Sequence, residues 1–531
     1  MCSRTDEAHQ RNTNQTRDPA ASITADGRPR ELDEMSPPLE LWPWRQPRWF
    51  STLFLTDLWE RFSFFGMMAI LFLYATAPAH TGGLGMQAGS AGALVGLYVS
   101  ATFVASVPGG WLGDRVFGAQ RAVVYGGVLI AAGHLCLALP LVAAFYPGIA
   151  LIAAGTGLLK PNLTALLGSF YPPRASAQRE AGFSLFFVSI QMGALAAPIV
   201  TGFLGERVGW HLGFGAAAAG MAVGLTTFLR NLRHFGDIGR YPPQPADRRT
   251  LRRVCGWTAL GAGLVAVLIV LDVLTGRAGI EHFVAGLGLL VLLAPIPYVR
   301  SILRGPAVSR DDARRLRSYG WIFLATAVFF LLASQANSVF NQFAAESTDR
   351  GLFGFILPAS WFQTLHPLFV LLAAPAVARF WTGAGRRLDV PVKLALGLSL
   401  GAVGLLLMTL AASLAAAGPV SPLWLTAVYL VLACAELVVG AAGLGATAQV
   451  APAGTAGQFM GLWWLAGAVG AVVAGQFARA AMSGGSSPAP LYFLGLAILA
   501  ATVAAILAVG HRRINNRLGL DIPALSLMEV S

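Results

Sequence analysis

The segment STLFLTDLWERFSFFGMMAILFLYA at residues 51–75 contains the two features from which the fold follows. It is apolar over more than the roughly 20 residues that a helix needs to cross the ~30 Å hydrocarbon layer of a bilayer, and it carries three charged side chains. Asp57, Glu60 and Arg61 are spaced i, i+3 and i+4, so a helix places them on one face. Glu60 follows Trp49 by eleven residues, which is roughly 16 Å of depth at ~1.5 Å per residue. The segment therefore predicts a membrane helix with ionisable groups near the middle of the bilayer.

Apolar runs of this length recur along the whole chain. Of the 531 residues, 56% are hydrophobic and 12% are charged, about half of the ~25% charged residues of soluble proteins. This composition excludes a soluble globular enzyme and a disordered protein. Unpaired backbone groups are costly in lipid, so the runs must be helices rather than strands. The predicted spans are 49–78, 88–113, 121–145, 148–171, 180–205, 211–231, 254–274, 280–302, 318–343, 354–381, 391–416, 422–447, 456–481 and 489–510.

The distribution of basic residues predicts the orientation of these spans. The net charge is +12, and arginines concentrate in the segments on one side of the spans. Cytoplasmic loops of membrane proteins collect Arg and Lys, so this side and both termini are predicted to be cytoplasmic. The basic balance is interpreted as a topology signal, and no nucleic acid is expected as a partner.

The spacing of the spans predicts the domain organisation. Six spans, a linker with two extra spans and six further spans are typical of major facilitator transporters, which have two six-helix halves. The predicted fold class is an all-α membrane protein with the major facilitator fold and 14 transmembrane helices. The predicted parts are a disordered cytoplasmic tail without a signal peptide at 1–45, a six-helix bundle at 46–232, a linker with two extra helices at 233–317, a second bundle at 318–511 and a cytoplasmic tail at 512–531.

Two more charged residues lie deep in predicted spans, Lys160 and Glu436. An ionisable group in the hydrocarbon layer is costly unless it is paired or lines a wet cavity, which makes it a functional candidate. We expect Lys160 to pair with the carboxylates of Asp57 and Glu60, and Glu436 to receive a cationic group of a ligand. A zwitterion would then bridge Arg61 and Lys160 on one half and Glu436 on the other. A self-neutralising structural cluster and a lysine that extends to the membrane surface are the alternatives.

Motifs for other chemistries are missing from the sequence. It contains no GxxxxGK[ST] or HExxH pattern. Its four cysteines are scattered and form no CxxC pair. We therefore expect a transporter driven by an ion gradient, not an enzyme, with no metal and no cofactor.

Several motifs, in order along the chain, resemble those of the proton-dependent oligopeptide transporter (POT) family, a branch of the major facilitator superfamily. They are DLWERFSFFG at 57–66, GGWLGDR at 109–115, KPN at 160–162, FFVSIQMG at 186–193 and GW at 209–210. The resemblance runs from Trp49 to Gly510, and Glu436 stands where the family keeps a glutamate. Two extra central helices are common in bacterial members, so the resemblance implies a multi-pass protein of the bacterial inner membrane.

The resemblance implies proton-coupled symport of di- and tripeptides by alternating access. The implied partners are a small peptide, protons and membrane lipids, and we expect a monomer. Proton coupling would involve Asp57, Glu60, Arg61 and Lys160. The implied substrate-binding residues are Arg61, which would hold the peptide carboxylate, Glu436, which would hold the amino group, and Lys160, Gln191, Phe330 and Trp463. Asp114 and Arg115, at a cytoplasmic turn, are interpreted as a conformational latch.

The chain departs from the family pattern at the outer gate. The family usually has an arginine where this chain has Met68 and an acid where it has Ser334, and these two groups are thought to form an ion pair. Losing one of them alone would leave a buried charge without a partner, so their joint loss is chemically consistent. We expect an outer gate closed by packing and hydrogen bonds.

Other departures alter the predicted pocket. Phe64, Phe65 and Phe103 replace tyrosines, and His366 replaces an asparagine. Two other functions therefore stay open, namely transport of a modified peptide or peptide-like metabolite, including export, and a non-transporting membrane sensor. His366 could titrate near neutral pH, but we interpret it as a satisfied core histidine.

Overall fold

The computed structural model describes residues 46–171, 176–256, 280–304, 310–383, 388–451, 456–482 and 489–519, together with five isolated positions, 261, 263, 267, 270 and 385. This part of the chain is almost entirely helical. Thirteen of its helices are long and apolar enough to cross a membrane. The predicted span 254–274 lies outside the described residues except at 254–256 and a few isolated positions, and so do the tails 1–45 and 520–531.

The first six long helices form the N-terminal bundle. Their bounds are α1 Arg48–Thr76, α2 Ala88–Leu112, α3 Ala119–Ala138, α4 Val142–Ser169, α5 Ser176–Phe203 and α6 Trp210–Arg230. Single π turns extend α2 through Gly113–Phe117 and α5 through Leu204–Val208. The helices α3 and α4 approach closely, because a Cβ on Gly126 would lie 2.7 Å from the Gly155 carbonyl oxygen and the reverse distance is also 2.7 Å. Small residues allow membrane helices to pack at this distance without a side chain between the backbones.

The remaining helices form the linker pair and the C-terminal bundle. The linker pair is α7 Ile280–Leu293 and α8 Pro295–Leu303. The C-terminal bundle contains α9 Arg310–Ala333, α10 Val339–Glu346, α11 Leu365–Thr382, α12 Val390–Ala415, α13 Leu423–Val450, α14 Ala456–Ala481 and α15 Pro490–Leu518. The linker pair packs on both α2 and α14, so it lies across the junction of the two bundles.

Prolines and glycines account for several boundaries that hydropathy placed wrongly. The third span ends at Ala138 rather than 145, two residues before Pro140, because the residue preceding a proline disfavours helical geometry. The next helix begins at Val142 and continues through Pro147, which was predicted to precede it. The span predicted at 280–302 divides into α7 and α8 at Pro295.

The span predicted at 354–381 also begins later than expected. A hairpin of two-residue strands, β1 Gly351–Leu352 and β2 Phe355–Ile356, comes first, followed by a 3₁₀ turn at Ala359–Thr364. The hairpin turn has φ of 49° at Phe353 and 82° at Gly354, the left-handed pair that matches the twist of a two-residue hairpin.

The two bundles meet at one end of the molecule. The cross-bundle hydrogen bonds that join described residues begin near mid-helix, where the Ser100 hydroxyl donates to the Ala468 carbonyl over 2.7 Å. They continue to the end at which α2 begins and α14 ends, which we call the closed end. At the other end, which we call the open end, α1 begins and α15 finishes. There Val107 of α2 is 39% exposed.

Candidate functional site

Four charged side chains of the N-terminal bundle form what we call the ionic cluster, namely Asp57, Glu60, Arg61 and Lys160. The Lys160 ammonium on α4 lies 2.5 Å from Asp57 Oδ1 on α1. Asp57 Oδ2 lies 2.8 Å from the Ser189 hydroxyl on α5. Asp57 thus ties three helices together, and its side chain is fully buried.

The second acid of the cluster is held by its neighbour in the chain. Arg61 donates to both oxygens of Glu60, over 2.5 Å from Nε and 2.6 Å from Nη2. The Glu60 side chain is fully buried, whereas that of Arg61 is 10% exposed. The guanidinium also lies 4.8 Å from the ring centre of Phe64, a distance typical of a cation–π contact. Two acids and two bases are therefore matched one to one, and the cluster is electrically neutral.

The local sequence around Lys160 positions its helix closely against α2. Pro161 has no backbone N–H, so the Gly157 carbonyl four residues earlier has no partner within the helix. A Cβ on Gly109 of α2 would overlap that carbonyl, so a glycine is required there. Asn162 joins the same two helices because its amide donates to the Gly109 carbonyl over 2.9 Å. The KPN and GGWLGDR motifs thus serve as one packing unit that holds Lys160 at a set depth.

Glu436 of α13 has a partner within its own bundle. Its Oε2 lies 3.3 Å from His366 Nε2 on α11, and the two side chains are 34% and 24% exposed. His366 has a polar partner, as expected of a satisfied histidine, but its imidazole is partly exposed and does not lie in the core. Hydropathy could not show this contact because the residues are seventy positions apart in the chain. We call these two residues the C-terminal pair.

Aromatic rings connect the two bundles near mid-helix. Phe103 of α2 stacks on Trp464 at 5.5 Å between ring centres and meets Phe330 edge-on at 5.7 Å. Trp464 is 41% exposed, whereas Trp463 is 2% exposed. The Trp463 ring packs against Gly443 of α13 within its own bundle. Phe330 therefore lies at the junction of the bundles, in contact with Phe103. The tryptophan at this junction is Trp464 rather than the predicted Trp463.

Gln191 and Ser189 lie on different sides of α5. Gln191 is 5% exposed and is two residues after Ser189, which is about 200° around a helix of ~3.6 residues per turn. Ser189 and Gly193 face α1, so Gln191 points away from the ionic cluster. Sequence reasoning missed Ser189, although it lies one helical turn before Gly193 in the FFVSIQMG motif.

Comparison with known proteins identifies the family of this chain. The model of the POT family matches residues 120–488. The chain belongs to the POT family.

Among POT relatives, the di-/tripeptide transporter of Lactococcus lactis subsp. cremoris is 35% identical over 79% of this chain and 87% of its own length. An uncharacterized transporter of Bacillus subtilis, YclF, is 36% identical over 87% of this chain and 93% of its own length. The crystal structure of a mutant of the peptide transporter POT in complex with sulfate superposes with a TM-score of 0.85 at 35% identity, covering 92% of this chain and 98% of that one. The family resemblance and the major facilitator fold predicted from the sequence are confirmed.

The departures from the POT pattern at the outer gate lie at the closed end. Met68 is buried in α1, and Ser334 is buried in the 3₁₀ turn Ser334–Asn337, which contacts α1. The next residue, Gln335, accepts a hydrogen bond of 2.7 Å from the Tyr492 hydroxyl of α15. The Asn341 amide crosses to the Ala69 carbonyl of α1 over 3.3 Å. Packing and neutral hydrogen bonds therefore occupy this region.

A carboxylate outside the predicted site joins the bundles at the same end. Glu206, in the π turn after α5, accepts hydrogen bonds from the backbone N–H groups of Ala359 and Ser360 over 2.8 and 2.9 Å. It also accepts one from the Ser360 hydroxyl over 2.5 Å, and the Arg350 guanidinium lies 3.9 Å away. In the sequence, the feature that could have indicated this contact is an acidic residue in a turn directly after a long helix. We call this contact the Glu206 latch.

Asp114 and Arg115 lie in the π turn after α2, and both are exposed. Their carbonyls accept hydrogen bonds from the linker backbone, Asp114 from Gln244 N–H over 3.2 Å and Arg115 from Ala246 N–H over 2.9 Å. The described hydrogen bonds that these two carbonyls accept therefore come from the linker, and the role of the two side chains as a latch stays a prediction.

In the described residues, no three His, Cys, Asp or Glu side chains are grouped so that they could hold a metal ion.

Proposed function

We propose that this chain is a proton-coupled symporter of di- and tripeptides that works by alternating access. The observation that carries the proposal is the ionic cluster, in which each base is already matched by one buried acid. The di-/tripeptide transporter of Lactococcus lactis, at 35% identity, supports the substrate class.

Charge balance in the cluster couples a proton to a peptide. In the neutral cluster Arg61 is engaged by Glu60 through both oxygens, so a peptide carboxylate would have to displace a buried acid. A buried charge without a partner is strongly unfavourable. Protonation of Glu60 releases Arg61 and leaves the cluster with one positive charge, which the peptide carboxylate then balances. The proton and the peptide therefore enter together.

The C-terminal bundle provides the second contact. We propose that Glu436 receives the peptide amino group, while Asp57 and Lys160 form the second titratable pair of the N-terminal bundle. A zwitterion held at both ends stabilises a state in which the bundles are close together. Phe330 and Trp464, at the aromatic junction, lie where side chains of the peptide would pack, and Gln191 and Trp463 stay candidate substrate residues.

The orientation in the membrane decides which state the structure represents. We propose that both termini face the cytoplasm of a bacterial cell, as the arginine distribution predicts. The open end is then cytoplasmic, and the conformation is inward-facing with its outer side closed. We also propose that the transporter acts as a monomer, without a cofactor, with lipids in contact with its outer surface.

Uptake into liposomes tests the function. The purified full chain is reconstituted, an inside-alkaline gradient is imposed, and labelled dialanine is followed. Accumulation that stops when the gradient is dissipated supports the proposal. Glu60→Gln is expected to lose gradient-driven accumulation and to retain exchange of labelled for unlabelled dialanine, because its Arg61 is permanently released. The exposed carboxylate variant Asp349→Asn serves as the control. Absence of dialanine and trialanine uptake by the wild-type protein would contradict the proposal.

A further inference from the structure

The C-terminal pair places an imidazole against the carboxylate proposed to bind the peptide amino group. His366 Nε2 and Glu436 Oε2 are 3.3 Å apart, and both side chains are partly exposed. A histidine is the one ordinary side chain that changes charge between pH 5 and pH 8. The carboxylate therefore has a partner that exists in a neutral and a cationic form.

Few other titratable groups face this pair. On α13 they are Tyr429, whose ring centre is 6.4 Å from that of His366, and Cys434, which lies on another side of the helix from Glu436. The other elements packed on α11 are α5 and the 3₁₀ turn 359–364, and residues 181–203 and 359–364 contain no titratable side chain. On α11 itself the next such residue is Arg379, more than three helical turns from His366. Within the described contacts, the charge beside Glu436 thus depends on His366.

We propose that His366 acts as a pH-dependent selector at the amine subsite, which rests on the proposed function. When the imidazole is neutral, the Glu436 carboxylate is free to bind the ammonium of a peptide. When the imidazole is protonated, it occupies the carboxylate, and the subsite accepts peptides whose amino end is uncharged, such as N-acylated peptides.

The exchange between these two states balances in protons and charge. An ammonium that enters the subsite brings a second cation to one carboxylate, and like charges at this short distance repel each other. The imidazolium then releases its Nε2 proton to water, and the ammonium takes its place. An N-acylated peptide brings no cation, so it binds without release of that proton. The neutral asparagine usual in the family cannot make this distinction.

Binding at two pH values tests the inference. The affinities of the purified full chain for dialanine and N-acetyl-dialanine are measured by isothermal titration calorimetry at pH 7.5 and pH 5.5. A single competing proton weakens binding by at most about tenfold per pH unit. We expect the preference for dialanine over N-acetyl-dialanine to fall several-fold at pH 5.5. In His366→Asn and His366→Gln this preference should be unchanged between the two pH values, while the exposed-histidine control His80→Asn should behave as the wild type.

The outcomes separate the inference from the proposed function. A wild-type preference that is constant between the two pH values would overturn the inference even if neither His366 variant folds. Equal pH dependence in the wild type and in His366→Asn would overturn it as well. Failure of the wild type to bind dialanine at either pH would instead contradict the proposed function, and the inference with it.

Discussion

The Glu206 latch gives a prediction whose size follows from its geometry. Glu206 accepts three hydrogen bonds from the C-terminal bundle, and its side chain is only 13% exposed. In Glu206→Gln one carboxylate oxygen becomes an NH₂ group, which cannot accept, so at least one of the donors on Ala359 and Ser360 loses its partner. A hydrogen bond to a charged group contributes about 1.5–3 kcal/mol. Since ~1.4 kcal/mol is a factor of ten, the closed end should open about 10- to 150-fold more often.

Spin-label distances measure this change. Labels at His80 and Leu423, which are exposed at the closed end on opposite bundles, report its width by double electron–electron resonance. We expect a second, longer distance in Glu206→Gln. Asp349→Asn is the matched control, because Asp349 accepts its described hydrogen bond from Gly351 within its own bundle. A distance distribution in Glu206→Gln identical to that of the wild type would refute the role of the latch.

Two further predictions concern the gate and the helix packing. Ser334→Glu places an unpaired acid in the buried gate region and should reduce dialanine uptake strongly. Adding Met68→Arg should restore uptake, because the arginine provides the acid with a partner. Failure of the double variant to restore uptake would show that the two positions do not face one gate. Gly109→Ala inserts a methyl group into the Gly157 carbonyl and should lower the thermal unfolding midpoint by several degrees. In the control variant Gly110→Ala, the new methyl group lies 3.6 Å from its nearest neighbour, a Pro161 side-chain carbon, so its unfolding midpoint should be close to that of the wild type. Equal midpoints for the two variants would contradict the packing of α2 on α4.

Charges inside apolar runs were the most informative part of the sequence. Asp57, Glu60, Arg61 and Lys160 were recognised because each is costly in lipid, and the structure brings all four together. Which acid holds which base could not be predicted. Asp57 and Lys160 are 103 positions apart, and their pairing depends on the packing of α1 against α4 and α5.

Hydropathy predicted a membrane span wrongly where apolar residues lie outside a membrane helix. The predicted span 354–381 includes Phe355 and Ile356, yet these residues belong to an exposed hairpin whose turn residue, Phe353, is fully exposed. The nearby Gly351 and Gly354 were the available turn signals. The contact of His366 with Glu436 could not be foreseen for another reason, since it depends on the tertiary packing of α11 against α13.

The central claim is that one peptide is held by charged groups from both bundles. Spin labels at Arg230 and Arg512, which are exposed at the open end on opposite bundles, report the gap between the bundles in a background with the four native cysteines replaced. The account predicts that dialanine shortens this distance in the wild type and leaves it unchanged in Glu436→Gln. A distance that dialanine does not alter in the wild type, although the peptide binds, would contradict the claim.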